Sequence, residues 1–221
     1  MTGIAEALVA LTSSLIALVG AADRSPGEPD LREFKRLLER LPTPPDARPA
    51  GASPTRLPVL RYLGEAIRPG TAPASPLAAP LLALEPSLAW TQNPNYRRAP
   101  PTREFLGNYG YAVIAGPAGG APALIHMADL ALGLLLLGPK TEYPAHHHPA
   151  AEIYVPLGLA EWKLGDGPWR SRPAGSVIHH RPNVMHATRT KEAPLAALYL
   201  WAGDLATHAR LADRGGGASE G

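Results

Sequence analysis

The chain has 221 residues, 45% of them hydrophobic, which is enough for one large domain with a real core. Its 21 basic and 19 acidic side chains leave a formal net charge of +2, and the pI near 9 reflects that small excess without any dense basic run, so there is no nucleic-acid footprint. Cysteine is absent altogether, which excludes disulfides, thiolate metal ligands and iron–sulfur clusters.

Residues 7–22 are uncharged and end in Gly20-Ala21-Ala22, the outline of a signal-peptide core with a small-residue cleavage site. Glu6 stands where such a peptide needs a basic start, and the stretch is short for a membrane span. Leu8, Leu11, Leu15, Leu18 and Val19 recur at helical spacing, which predicts an amphipathic helix packed on the protein body. The expected location is cytoplasmic, with no membrane partner.

A second helix is predicted over 30–41, with Leu31, Phe34, Leu37, Leu38 and Leu41 on one face, Asp30 as N-cap and Pro42 as stop. Residues 42–58 form a proline-rich connector. Further helices are expected over 58–68 and around 77–85. From about Phe105 the texture changes to short apolar runs punctuated by Gly and Pro: 109–116, 124–130, 132–137, a histidine-rich run to Leu157, 161–164, 176–180, 187–190 and 195–201. Short strands without intervening helices predict a mainly β fold, a β-barrel of the jelly-roll kind. The chain divides into a helical N-terminal extension packing on the barrel (1–104), the barrel (105–208) and a flexible tail (209–221).

Six of the eight histidines lie between His146 and His186. If residues 143–154 form one extended strand, His146, His148, Glu152 and Tyr154 share a parity and point the same way, while His147 faces outward. Imidazole and carboxylate together suit one divalent transition metal, Fe2+, Zn2+, Mn2+ or Ni2+, in a site open enough for chemistry. His179, His180 and His186 compete for the remaining ligand position.

The order HxHxxxE, then Gly158, then Pro173-Ala174-Gly175 and a later histidine resembles the two-motif pattern of the cupin superfamily. Within it, TEYPAHHHPAAEIY, GPWRSRPAGSVIHHRPNVMHATRT and LYLWAGDL are similar to the cupin-type dimethylsulfoniopropionate (DMSP) lyases, DddQ/DddL-like, over roughly residues 90–205. The resemblance implies a cupin β-barrel, with His148, Glu152 and His186 as metal ligands and Tyr154 as a ligand or neighbouring catalytic group. It puts His146 in or beside the ligand set, Tyr143 in the pocket as an available base, and the Trp201 face against the sulfonium. His180 or His179 could orient a ligand from behind.

DMSP carries a carboxylate and, two carbons away, a sulfonium leaving group. Removing the proton beside the carboxylate expels dimethyl sulfide and leaves acrylate, which calls for a Lewis acid on the developing charge and a strong base. A phenol, with its ordinary pKa near about 10, becomes that base only where a cation stabilises the phenolate. Tyr154 and Tyr143 both qualify at this level. A different metal-dependent cupin isomerase, lyase or oxygenase, or a non-catalytic ligand-binding cupin, would use the same ligands. A homodimer stays open. Trp90, Tyr96, Tyr109, Tyr111, Trp162 and Trp169 are assigned to packing, and His126 and His208 to the surface.

Overall fold

A computed structural model of the chain describes residues 3–24, 31–41, 56–68 and 73–212. Its helices are α1 (Ile4–Ala22), α2 (Arg32–Glu39), α3 (Leu63–Ala66), α4 (Ser75–Leu84) and α5 (Pro94–Arg98). The expected third helix begins as a 3-10 turn, Pro58–Tyr62, before α3. Asp30, the expected N-cap of α2, the connector over 42–55 and the tail beyond residue 212 lie outside the described residues; within them Leu31 holds the cap position of α2, its N–H donating to Asp23 Oδ1 at 2.9 Å. Among the described residues the strands are β1 (Trp90–Thr91), β2 (Tyr109–Gly116), β3 (Ala123–His126), β4 (Leu130–Leu137), β5 (Glu142–His147), β6 (Ala151–Pro156), β7 (Ala160–Leu164), β8 (Arg170–Arg172), β9 (Ile178–His180), β10 (His186–Arg189), β11 (Leu195–Ala202) and β12 (Arg210–Leu211).

These strands form two sheets. One runs β1-β2-β4-β11-β6-β9 with β3 added parallel on β2, and the other runs β12-β5-β10-β7-β8. The jelly-roll expectation holds, with one refinement: the ladders stay two facing sheets and do not close hydrogen bond by hydrogen bond into a barrel. Two short strands come from outside the expected barrel limits. β1 pairs with β2 from the N-terminal side, and β12 pairs with β5 from the start of the expected tail.

Side-chain alternation along the larger sheet sorts the protein into two cores. Ile114, Leu134, Leu136, Ile153, Val155, Leu198 and Leu200 face outward and pack under α1, α2 and α4, which bury Leu8, Leu11, Leu15, Phe34, Leu37, Leu77 and Leu81 there. α1 is apolar and long enough to cross a membrane by length and composition alone, yet its leucine stripe is buried in this cluster. Each such aliphatic side chain contributes about 1.5–3 kcal/mol on burial. Residues of the opposite parity, Tyr109, Leu135, Tyr154, Ala197 and Tyr199, turn toward the second sheet and meet its Tyr143 and Trp162. The helices therefore cover one face of the larger sheet, and the interior lies on the other.

The histidine-rich run departs from its expected course. Pro149 has no N–H to give a ladder, and the chain turns at residues 148–150, so β5 ends in the smaller sheet and β6 starts in the larger one. His146 and Glu152 consequently face each other from two sheets and are not neighbours along a single strand.

Gly133 keeps the interior open. A Cβ there would run into the Ala112 carbonyl oxygen of the adjacent strand and the Tyr199 ring, and neither backbone nor a buried ring can yield without strain. Gly133→Ala is expected to lower the thermal midpoint by about 5 °C or more, read by circular dichroism; an unchanged midpoint would mean the β2–β4–β11 packing is looser than described.

Candidate functional site

Cross-strand register builds the site from two rows. In the larger sheet Trp201, Glu152 and His180 lie opposite one another across β11, β6 and β9, with Ala131 beside Trp201 on β4. Directly opposed residues share a face, so all four point to the interior. In the smaller sheet His146 pairs with His186, and Tyr143 with Thr188, on either side of a bulge in the β5–β10 pairing. His148 sits just past β5, and its carbonyl accepts from Asn183 N at 2.8 Å. Asn183 takes the left-handed conformation, φ 61°, which asparagine tolerates better than most residues, so the β9–β10 turn holds the His148 backbone in place.

Glu152 is the hub, fully buried with both carboxylate oxygens engaged. Oε2 lies 3.2 Å from His148 Nε2, 3.1 Å from His180 Nδ1 and 3.1 Å from His186 Nε2, and Oε1 accepts from the Trp201 indole N–H at 2.6 Å. Burial pushes this carboxyl up, and hydrogen bonds donated to it pull it down, well below the usual carboxylate range when His148, His180 and His186 all donate.

The tautomers decide what these contacts mean. His148 Nδ1 lies 3.0 Å from the Ala150 carbonyl, His186 Nδ1 lies 2.9 Å from the Val184 carbonyl, and His146 Nδ1 lies 2.8 Å from the Pro144 carbonyl. A carbonyl only accepts, so each of these nitrogens carries the proton and donates. In the neutral rings Nε2 is then a bare lone pair, and those of His148 and His186 face the carboxylate, acceptor against acceptor. His186 Nε2 is buried without a hydrogen bond despite lying 3.1 Å from Glu152 Oε2. One ligand atom from each of His148, Glu152 and His186 lies within 4.8 Å of the others, all buried. Two imidazole lone pairs and a carboxylate, with the far ring nitrogens tied to carbonyls, fit a divalent cation.

His180 plays a different part. Its Nδ1–H donates to Glu152, its ring stacks on His186 at 4.0 Å, and burial pushes its pKa down to about 4. His146 lies 4.2 Å from the His186 ring and stacks on Tyr143 at 3.9 Å; burial, then His186, pushes its pKa well below the usual value. Tyr154 lies on β6 next to the hub, and burial, then the Glu152 charge, raises its hydroxyl well above the ordinary phenol value. Burial, then the neighbouring Tyr109 and Tyr96, does the same to Tyr143, whose hydroxyl donates to that of Tyr96 at 3.1 Å. Trp201, expected only as an aromatic face, also clamps Glu152 through its indole N–H and stacks on His148 at 4.0 Å.

A cavity of about 600 Å³ opens against this hub. Tyr109, Tyr111, Tyr143, Tyr154, Tyr199 and Trp201 supply its aromatic wall, and no lysine or arginine lines it; its acids are Glu152 and Asp204. Tyr109, Tyr111 and Tyr199 were assigned to packing or given no role by sequence. The available signal was the shared parity of Tyr109 with Tyr111, and of Tyr199 with Trp201, across the small residue Gly133. His147 stays partly exposed outside the cluster, paired with Arg210. His126 and His208 are exposed as expected, although His208 reaches the cavity rim.

The chain matches the family profile of dimethylsulfoniopropionate lyases over residues 30–197. It is 47% identical over 66 residues to dimethylsulfoniopropionate lyase DddQ of Ruegeria pomeroyi, and that alignment takes in 29% of this chain and 33% of the relative, about a third of the relative's length. Its structure is similar to one from the crystal structures of the DMSP lyases RdDddP and RnDddQII, with TM-score 0.71 and 25% identity over 95% of this chain and 100% of that one. It is similar also to the crystal structure of DMSP lyase DddQ from Ruegeria pomeroyi, with TM-score 0.70 and 27% identity over 92% of this chain and 96% of the other.

Removing a ligand and removing its support are expected to differ in degree. His148→Ala is expected to purify folded with less than about a tenth of the wild-type metal, and Trp201→Phe to keep the site but bind metal about 10–100-fold more weakly, both read by elemental analysis and chelator competition. Wild-type metal content in both variants would contradict the assignment.

Proposed function

Because the chain belongs to the dimethylsulfoniopropionate lyase family, we propose that it cleaves DMSP to dimethyl sulfide and acrylate at the Glu152 centre. The observation that carries the reading is the junction of a histidine–carboxylate cluster, where the Nε2 lone pairs of His148 and His186 converge on Glu152, with an aromatic cavity that no described lysine or arginine lines. A divalent metal bound by His148, Glu152 and His186 would supply Lewis-acid stabilisation of the negative charge that grows on the substrate carboxylate.

The protein's own residues account for the remaining tasks. The sulfonium is a permanent cation, and the faces of Trp201, Tyr199 and Tyr111 attract it with roughly 0.5–2 kcal/mol each when desolvated. A cavity without lysine or arginine adds no repulsion. Tyr154 takes the proton from the carbon beside the carboxylate; the electron pair left behind forms the carbon–carbon double bond as the carbon–sulfur bond breaks, and dimethyl sulfide departs. Tyr154 fits this role better than Tyr143 because it lies on β6 beside the ligand Glu152, where a bound cation would be near it, whereas the Tyr143 hydroxyl bonds Tyr96 and its ring packs against Tyr96 and Tyr109. Burial keeps both phenols protonated at rest, so the base forms only where positive charge lies beside it. Tyr143 shapes the cavity wall, and His146, stacked on Tyr143 and edge-on to His186, fixes the orientation of both rings.

Headspace dimethyl sulfide from metal-loaded protein and DMSP tests the reading. Release is expected with the wild type, a loss of about a hundredfold or more in kcat for Tyr154→Phe, and a loss of less than about tenfold for Tyr143→Phe. No dimethyl sulfide with any of iron, zinc, manganese or nickel would overturn the function, and the reverse order of the two tyrosine variants would overturn the choice of base.

A further inference from the structure

Behind the Glu152 hub, on the side away from the aromatic wall, a second cavity of about 340 Å³ lies between the β7–β8 edge of the smaller sheet and β9 of the larger one. His180 is part of its lining, and the same ring donates to Glu152, which lines the first cavity. The His180–Glu152 pair is thus the partition between the two spaces.

The second cavity has the opposite electrostatic character. Arg170 and Arg172 line it, and no aspartate or glutamate does. On β8, Arg170 sits opposite Trp162 and Arg172 opposite Ala160. Both of those partners are buried on the interior side, so the two arginines, exposed on the edge strand β8, leave the backbone on that same side of the sheet. Glu161, the acid of β7, lies on the other face, where it is taken up by Arg189 and Lys191. Neither Arg170 nor Arg172 has an acidic partner among the described residues. Trp162 also lines the cavity, is 3% exposed, and its indole N–H is buried without a partner. An unsatisfied buried donor costs about 1–3 kcal/mol, and an acceptor supplied by a ligand would remove that cost.

We propose that this basic cavity is a binding site for a small monocarboxylate anion, held by Arg170 and Arg172 with the Trp162 N–H. The choice of a carboxylate rests on the lyase reading, because elimination converts a zwitterion, which suits the aromatic cavity, into an anion, which suits the basic one. The anionic product therefore has a site of its own, separated from the aromatic cavity by His180 and Glu152.

Acrylate and the neutral isostere acrylamide, titrated into the purified protein before and after metal chelation, provide the test by calorimetry or ligand-observed NMR. Acrylate binding is expected to persist after chelation, acrylamide to show none, and Arg170→Gln/Arg172→Gln to weaken acrylate about tenfold or more. Trp162→Phe, which keeps the packing and loses the donor, is expected to weaken it severalfold; with Arg172→Gln alone it carries the test if the double variant does not fold. Equal binding by acrylamide, loss of all acrylate binding on chelation, or unchanged affinity in the variants would overturn the proposal. So would a double variant that merely self-associates with its acrylate affinity intact, since inward charges on an edge strand can serve only to block edge pairing. Chelation-resistant acrylate binding without dimethyl sulfide release would count against the lyase reading alone, and release without such binding against this site alone.

Discussion

A single carboxylate buried among imidazoles that cannot all donate to it is the constraint on which the interior depends. Three histidines have their Nδ1 protons tied to backbone carbonyls two residues away, Pro144, Ala150 and Val184. For His148 and His186 the consequence is a lone pair directed at the buried Glu152. An arrangement of converging acceptors is unstable in a low-dielectric interior unless positive charge joins it, so the local backbone, more than the histidine count, makes this a cation site. Trp201 and His180 donate to opposite oxygens of the carboxylate and hold its orientation.

The fold supplies this arrangement through the separation of two sheets. The helices of the N-terminal part occupy the outer face of the larger sheet with aliphatic side chains, which frees the inner face for polar and aromatic ones. Trp201, Glu152 and His180 form one row on that face, and His146 and His186 form a row on the other sheet. Gly133 and Ala131 are small where Tyr199 and Trp201 need room. The β12 pairing and the Asn93 and Asn95 amides, both donating to the Ala209 carbonyl, hold residues 209–211 against the 93–95 segment and β5 beside the cavity.

Much of this was legible in the sequence, though not always for the right reason. Helical leucine spacing located α1, α2 and α4, and the change of texture near Phe105 located the strands. His148, Glu152 and His186 were grouped by a motif resemblance, and the structure brings them within reach of one ion. His146, His148, Glu152 and Tyr154 do not share one strand face as single-strand parity predicts: Pro149 breaks the ladder, and the residues meet across two sheets. What was not legible depended on cross-strand register, which one sequence does not specify. The indole N–H of Trp201 on Glu152, the Tyr143–Tyr96 pair and the tyrosines around Gly133 all arise from which strands become neighbours. His180 and His186 had the same chemistry on paper; the pairing of β9 with β6 makes one a donor to the carboxylate, and the Val184 carbonyl makes the other a lone pair.

The central claim is that converging lone pairs of His148 and His186, with the Glu152 carboxylate, hold one divalent cation. Anomalous diffraction at the metal absorption edge, on crystals of metal-loaded protein, measures it directly. A single peak about 2.0–2.2 Å from both Nε2 atoms and a Glu152 oxygen, with each Nδ1 still on its carbonyl, is the expected result. A peak on other residues, or no peak with any of the four metals while Glu152 keeps its histidine contacts, would contradict it.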